Sequence, residues 1–274
     1  MKHYNITFIG GGNMGKSLIK GIINAGYPTE KITVSTPFAE EVAKLKETFG
    51  INGTTSNPEA AKEADIVVMA VKPQMMHDVL TEFSGSGIDF SNKLIISIMA
   101  GVTTSRIAEL VPGLTRIVRV MPNTPALIGL GMAGLYPAAG ATEDDRVFAE
   151  ELLSCCGKTV WVQSEEGIDN ITALSGSAPA YFFLFMECMA EKAKEYGFSE
   201  EQARTILEQV ALGSAQMVIK NQDKTIAELR EAVTSKGGTT YEALKVFNES
   251  NLMETVSKAL DACKNRAEEM SKQF

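Results

Sequence analysis

Histidine is nearly absent from this 274-residue chain: only His3 and His77 occur, the first close to the terminus. Neither has a second ligand at metal spacing, so no metal site is expected. Cysteine is sparse as well. Cys155, Cys156, Cys188 and Cys263 show no C-x-x-C spacing and read as buried thiols of a reducing cytoplasm, not as a disulfide framework. Positive charge is in deficit, with a formal net charge of −8. No basic stripe with interleaved aromatics stands out, so nucleic acid is not an expected partner. No apolar run reaches the roughly 18 residues of a membrane span, and the first residues lack the charged and apolar regions of a signal peptide. A cytoplasmic protein is therefore expected. At 45% hydrophobic and 22% charged residues, the chain is ordinary for a globular protein and holds one large or two medium domains.

The most telling stretch comes first. Ile6-Thr7-Phe8-Ile9 stops at Gly10-Gly11-Gly12-Asn13-Met14-Gly15, and helix-forming sequence runs from Lys16 to Asn24. Gly10, Gly12 and Gly15 fit G-x-G-x-x-G at a strand-to-helix junction. Gly10 allows the tight turn, Gly12 lets a pyrophosphate approach the backbone, and Gly15 lets helix and strand pack closely. The helix start then offers free N–H groups and a partial positive charge to that pyrophosphate. The next strand, Lys31 to Val34, ends in Ser35-Thr36-Pro37 with no acid at its tip. An NAD-specific site carries Asp or Glu there. Small hydroxyls leave room for a 2′-phosphate, so NADPH is favoured over NADH, although no Arg clamps the phosphate. Ser35 and Thr36 equally suit the start of a turn.

Continuous apolar runs follow at Asp65 to Ala70, Leu94 to Ile98 and Arg116 to Met121, as in parallel strands buried on both faces. Helical patterns between them imply a doubly wound α/β sheet. Gly129 to Tyr136 and Lys158 to Val162 predict further strands, with a helix over Glu143 to Cys156. After about Gln163 the strand signals vanish. Glu166–Ser175, Pro179–Tyr196, Glu200–Ile219, Ile226–Val233, Tyr241–Asn248 and Leu252–Met270 all read as helices. The expected fold is thus α/β, a Rossmann-like doubly wound domain over residues 1–163 followed by an all-helical domain over 164–274. Ala180 to Ala190 is apolar nearly all round and must be buried, in a subunit interface or as an internal core helix.

Ligands of open α/β sheets bind outside the carboxyl ends of the strands. Val71-Lys72-Pro73, Met99-Ala100-Gly101 and Met121-Pro122-Asn123-Thr124-Pro125 stand there. Lys72 suits a carboxylate or a phosphate. In the helical half, Ser235-Lys236-Gly237-Gly238-Thr239-Thr240 predicts a nest of backbone donors for a small anion at a helix start. Thr239 or Thr240 is expected as the N-cap. Ser175 to Tyr181, small residues with a proline at a helix start, suits the substrate pocket or only the interface. A carbonyl reductase has to protonate a developing alkoxide with a Lys, His or Tyr, and the helix over Gly167 to Leu174 has no lysine. An imine arrives already protonated, so a hydroxyl such as that of Thr240 suffices. Hydroxyl loops with an anion nest favour reduction of a carboxylated imine.

The chain resembles the Δ1-pyrroline-5-carboxylate reductase family along its whole length. The resemblance rests on F-I-G-G-G-N-M-G, A-V-K-P, V-M-P-N-T-P, L-S-G-S-x-P-A-Y and V-T-S-x-G-G-T-T, in that order. It implies a Rossmann-like domain, an all-helical dimerisation domain with intertwined partners, frequently a ring of dimers, and NAD(P)H-dependent reduction of a cyclic imine to L-proline. By position, Gly10 to Gly15 (including Asn13 and Met14), Ser35, Thr36, Asn57, Ala70, Val71, Lys72 and Asn123 would meet the cofactor. Ser235, Gly237, Gly238, Thr239 and Thr240 would hold the substrate, with Thr240 the partner or proton donor of the ring nitrogen. Asp223 falls where an acidic substrate contact can occur. Two positions depart from the pattern. Lys236 replaces the usual proline, which removes a φ restraint and adds a charge, and Ala178 replaces a common glycine. The rivals are a β-hydroxyacid dehydrogenase, which needs a lysine on the helix that opens the second domain, and a non-catalytic NADP-binding sensor.

Overall fold

The computed structural model describes residues 1–273. Its sheet has eight strands: β1 (Ile6–Ile9), β2 (Ile32–Ser35), β3 (Asn52–Thr54), β4 (Ile66–Met69), β5 (Leu94–Ser97), β6 (Ile117–Met121), β7 (Gly131–Pro137) and β8 (Gly157–Trp161). The helices of this part are α1 (Asn13–Asn24), α2 (Ala39–Phe49), α3 (Asn57–Lys62), α4 (Met76–Gly85), α5 (Thr104–Leu110), α6 (Glu143–Ser154) and α7 (Glu166–Ile171). Strand order is β3-β2-β1-β4-β5-β6-β7-β8. The first six strands are parallel and follow the doubly wound dinucleotide order, which reverses between β1 and β4.

Side chains alternate across the sheet and build a core on each face. Phe8, Val34, Val68, Ile96 and Val118 pack with Leu18, Ile19 and Ile22 of α1. Ile9, Val67, Met69 and Ile95 pack with Met76, Leu80 and Phe83 of α4 and with Ile107 of α5. Both layers are apolar, which is why β4 reads as an unbroken apolar run; in β1 the buried Thr7 breaks the run and donates its hydroxyl to the Ala60 carbonyl at 2.7 Å. β3 was not among the expected strands. It is Asn-Gly-Thr, held by its pairing to β2, with Val42 and Lys46 of α2 packed over Gly53. β7 runs antiparallel to β6, because a single 3₁₀ turn, Thr124–Ile128, joins them, and a parallel return needs a dozen residues or more. α6 supplies such a crossover, and β8 pairs parallel to β7.

The predicted helix over Glu166–Ser175 is two pieces: α7, then a π turn over Thr172–Gly176. Beyond it come α8 (Ala178–Glu195), α9 (Glu200–Lys220), α10 (Ile226–Ala232), α11 (Thr239–Glu249) and α12 (Leu252–Ser271). The sheet ends at Trp161, but its compact unit runs to Pro179 and takes back the chain from Ala262; the other unit is Ala180–Asp261. α9 starts in a capping box in which the Ser199 hydroxyl accepts from the Gln202 N–H and the Gln202 side chain accepts from the Ser199 N–H. Within Ala180–Asp261 only Ala203 and Leu207 are buried. α8 has no buried residue at all, so the internal core helix allowed by the sequence is ruled out. Phe182, Phe183 and Leu184 are 71%, 64% and 60% exposed.

Candidate active site

The carboxyl ends of β1 and β4 flank the point where strand order reverses. Gly10 follows β1 with φ +107°, and a Cβ there would lie 2.5 Å from the carbonyl oxygen of Ala70. Only glycine fits this turn without strain. Its N–H donates to the Ser35 carbonyl at 2.8 Å, and the Ala70 N–H donates to Ile9 at 2.8 Å, which ties the two turns together. Gly12 is the N-cap of α1 and makes no side-chain cap. A Cβ on Gly12 would meet nothing within 4 Å. The first N–H groups of α1, from Asn13 to Gly15, thus face an open cradle. This cradle fits a pyrophosphate, with helix dipole and donors both directed at it.

At the tip of β2, Ser35 and Thr36 are buried. The Ser35 hydroxyl donates to Asn57 Oδ1 at 2.8 Å, and Asn57 Nδ2 donates to Glu82 at 3.0 Å. The Thr36 hydroxyl donates to Glu41 Oε2 at 2.7 Å, and Lys16 Nζ reaches Glu41 Oε1 at 3.2 Å. The sequence carries no acid at the strand tip, yet the first turn of α2 delivers one. The Thr36 hydrogen bond, aided by Lys16, holds the Glu41 carboxyl below the usual carboxylate range against its partial burial. Val71 is half-buried and Lys72 exposed in the turn after β4.

Asn123, after β6, is almost wholly buried. Its Nδ2 donates to the carbonyl and the hydroxyl of Ser175, both at 3.2 Å, and its Oδ1 accepts from the Met132 N–H at 2.9 Å. The side chain is spent on fixing the loop to the π turn and β7. Upstream on β6 stands Arg119, 2% exposed, within 3.2 Å of Glu165 and 3.3 Å of Asp169. Glu165 also accepts from the Thr104 N–H and hydroxyl. Burial pushes the Asp169 carboxyl up, with the Arg119 charge opposing it. The Arg119 Nε has no partner. A lone charge inside the run Ile117 to Met121 is the only signal of this cluster in the sequence, and it does not say which acids answer it.

The second group of predicted residues belongs to the helical unit. Gly237 has φ +71°, and a Cβ on Gly238 would lie 2.5 Å from the Ser235 hydroxyl oxygen. The Gly238 N–H closes the turn on the Ser235 carbonyl at 3.0 Å. Gly238, not a threonine, is the N-cap of α11, and no side chain caps it. The threonines are displaced from that place because the Ser235–Gly238 turn brings the chain into the helix one residue early. Thr239 and Thr240 therefore open the helix with their N–H groups uncapped by any side chain. Thr240 is half-buried, while Ser235, Lys236 and Thr239 are exposed, as is Asp223 in the turn between α9 and α10. Among the described residues no cluster of His, Cys, Asp or Glu suits a metal ion.

A glycine turn at the switch point of a doubly wound sheet, joined in one chain to a separate helical unit, defines the class: a dinucleotide-binding protein of Rossmann architecture. Residues 5–101 match the family model described as NADP oxidoreductase, coenzyme F420-dependent, and residues 165–270 match that of pyrroline-5-carboxylate reductase dimerisation. A pyrroline-5-carboxylate reductase of Vibrio alginolyticus is 50% identical over 100% of both chains. The solved pyrroline-5-carboxylate reductase of Coxiella burnetii superposes with a TM-score of 0.92 at 40% identity, covering 98% of this chain and 99% of that one. The Plasmodium falciparum enzyme, solved with NADP bound, gives 0.87 at 31% identity, with 99% of each chain covered. The chain belongs to the pyrroline-5-carboxylate reductase family.

Proposed function

We propose that this protein reduces Δ1-pyrroline-5-carboxylate to L-proline, the last step of proline biosynthesis, with NADPH preferred and NADH the weaker donor. The observation that carries this reading is the Ser235–Thr240 turn, whose uncapped N–H groups at the start of α11 suit a carboxylate, in a chain similar over its full length to reductases of that name. NADPH, when bound, supplies the hydride that converts the imine to an amine.

The chain's own residues bind and orient. The α1 start, Gly10 to Gly15, holds the pyrophosphate. Ser35, Thr36 and Asn57 line the ribose side, and Ala70, Val71, Lys72 and the Asn123 loop border the rest of the dinucleotide. Ser235, Gly237, Gly238 and Thr239 take the substrate carboxylate. Thr240 hydrogen-bonds the ring nitrogen and moves its proton, and Asp223 is a further polar contact. A protonated imine yields a neutral amine with no alkoxide, so a hydroxyl is acid enough and no lysine, histidine or metal is required. The exposed apolar faces of α8 and α9 pair two copies, and dimers assemble into a ring. All four cysteines are free, but of the buried thiols expected only Cys156 is buried; Cys155 and Cys263 are half-buried and Cys188 is exposed. Free thiols suit the cytoplasmic setting proposed.

The test is loss of NADPH absorbance on addition of the imine, repeated with NADH and with a 3-hydroxyacid plus NADP⁺. Imine-dependent oxidation, faster with NADPH, is the expected result. NADPH binding without imine turnover would refute it in favour of a sensor.

A further inference from the structure

The carboxylate of Glu41 lies against the glycine turn: its Oε1 is 3.3 Å and its Cδ 3.4 Å from where a Cβ on Gly11 would stand. It sits in the first turn of α2, where the helix dipole favours a negative charge. It takes the Lys16 ammonium at 3.2 Å and the Thr36 hydroxyl at 2.7 Å. The hydroxyl of Ser35 is likewise occupied, by Asn57. The Ser35 and Thr36 side chains at the β2 tip, and Lys16 of α1, are therefore already engaged, two of the three by one acid.

We propose that Glu41 sets how strongly this chain discriminates between phosphorylated and unphosphorylated dinucleotides. A 2′-phosphate at the end of β2 needs Lys16 and Thr36, and has to displace the Glu41 carboxylate to obtain them. A 2′-hydroxyl makes no such demand and can donate to the carboxylate where it stands. Lys16 and Glu41 thus pull in opposite directions: the ammonium favours a phosphate, and the carboxylate repels it. The NADPH preference proposed above is the net of the two, and Glu41 is the part that limits it. Both side chains are about one-third exposed (37% and 31%), so the pair can open without disturbing the core. The proposal rests on the dinucleotide-binding reading and adds to it the residue that tunes the choice of cofactor.

The test is calorimetric titration of the purified protein, without turnover, using NADP⁺ and NAD⁺, and the fragments adenosine 2′,5′-bisphosphate and AMP. Glu41→Gln keeps the size and removes the charge; it should tighten NADP⁺ and the bisphosphate by about tenfold, leaving NAD⁺ and AMP unchanged or weaker. Lys16→Met should weaken NADP⁺ and the bisphosphate by about tenfold with little effect on NAD⁺. A ratio of NADP⁺ to NAD⁺ affinity that stays the same or falls in Glu41→Gln, in a series where wild type binds both, overturns the proposal alone. A wild type that binds neither dinucleotide overturns the functional reading and this proposal with it.

Discussion

Replacing Arg119 by methionine removes a guanidinium that is 2% exposed and keeps its volume roughly filled. Two carboxylates stay behind. Glu165 retains the Thr104 N–H and hydroxyl, but Asp169, whose side chain is 9% exposed, loses the charge that opposed its burial. Removing one member of a buried ion pair costs about 3–5 kcal/mol. For a chain of this size each kcal/mol moves the thermal midpoint by about 2–4 °C, so a fall of roughly 6–20 °C is expected. The sign of the pH dependence follows from Asp169. Burial already raises its native pKa, and without Arg119 it rises further above the unfolded value of about 3.9. A carboxyl with a raised native pKa costs stability above that pKa, and the cost fades as pH falls through it. Urea unfolding of wild type and Arg119→Met, followed by circular dichroism, should therefore show the largest deficit near about pH 8 and a smaller one near about pH 5.5. Adding Asp169→Asn should recover part of the loss. A deficit below about 1 kcal/mol, or one equal at both pH values, would refute the assignment of a buried, Arg119-dependent charge at Asp169.

Gly10→Ala forces a φ of +107° on a residue whose Cβ meets the Ala70 carbonyl; about 1–3 kcal/mol of stability and measurable NADP⁺ affinity should be lost, and wild-type values in melting and titration would contradict the turn as described. Thr240→Ala should lower kcat/KM by roughly tenfold to a thousandfold with an unchanged melting temperature, and unaltered kinetics would remove Thr240 from the chemistry. Phe183→Glu places a charge on the exposed apolar face of α8, so sedimentation equilibrium should show smaller species than wild type; an unchanged mass would exclude that face from self-association.

Where burial and pattern coincide, the sequence is easy to read. β4 and most of β5 are apolar because both of their faces are covered, and a run such as Ile66–Met69 suits a strand enclosed between two helical layers. Strand β3 is invisible for the opposite reason. Asn-Gly-Thr carries no apolar signal, and its place is fixed by backbone pairing to β2. Glu41 escapes a pattern that places the acid at the strand tip itself, because it lies a turn of chain further on and reaches the tip only once α2 has folded back. The N-cap of α11 is displaced from the threonines to Gly238 by a turn closed through backbone atoms, which side-chain preferences do not report. Lys72 and Asn123 are expected from the sequence to face a ligand alike. The structure leaves Lys72 exposed to solvent and spends the Asn123 amide on Ser175 and Met132, a distinction that depends on contacts distant in sequence.

Between Ala180 and Asp261 only Ala203 and Leu207 are buried. On the pairing of copies proposed above, this segment would take most of its apolar burial from a second molecule, and its stability would then depend on protomer concentration: dilution would act on it as a denaturant does. A freshly made copy would carry an unsheltered apolar surface until it met another, and the rate of that meeting would govern how long it stayed open to aggregation and proteolysis.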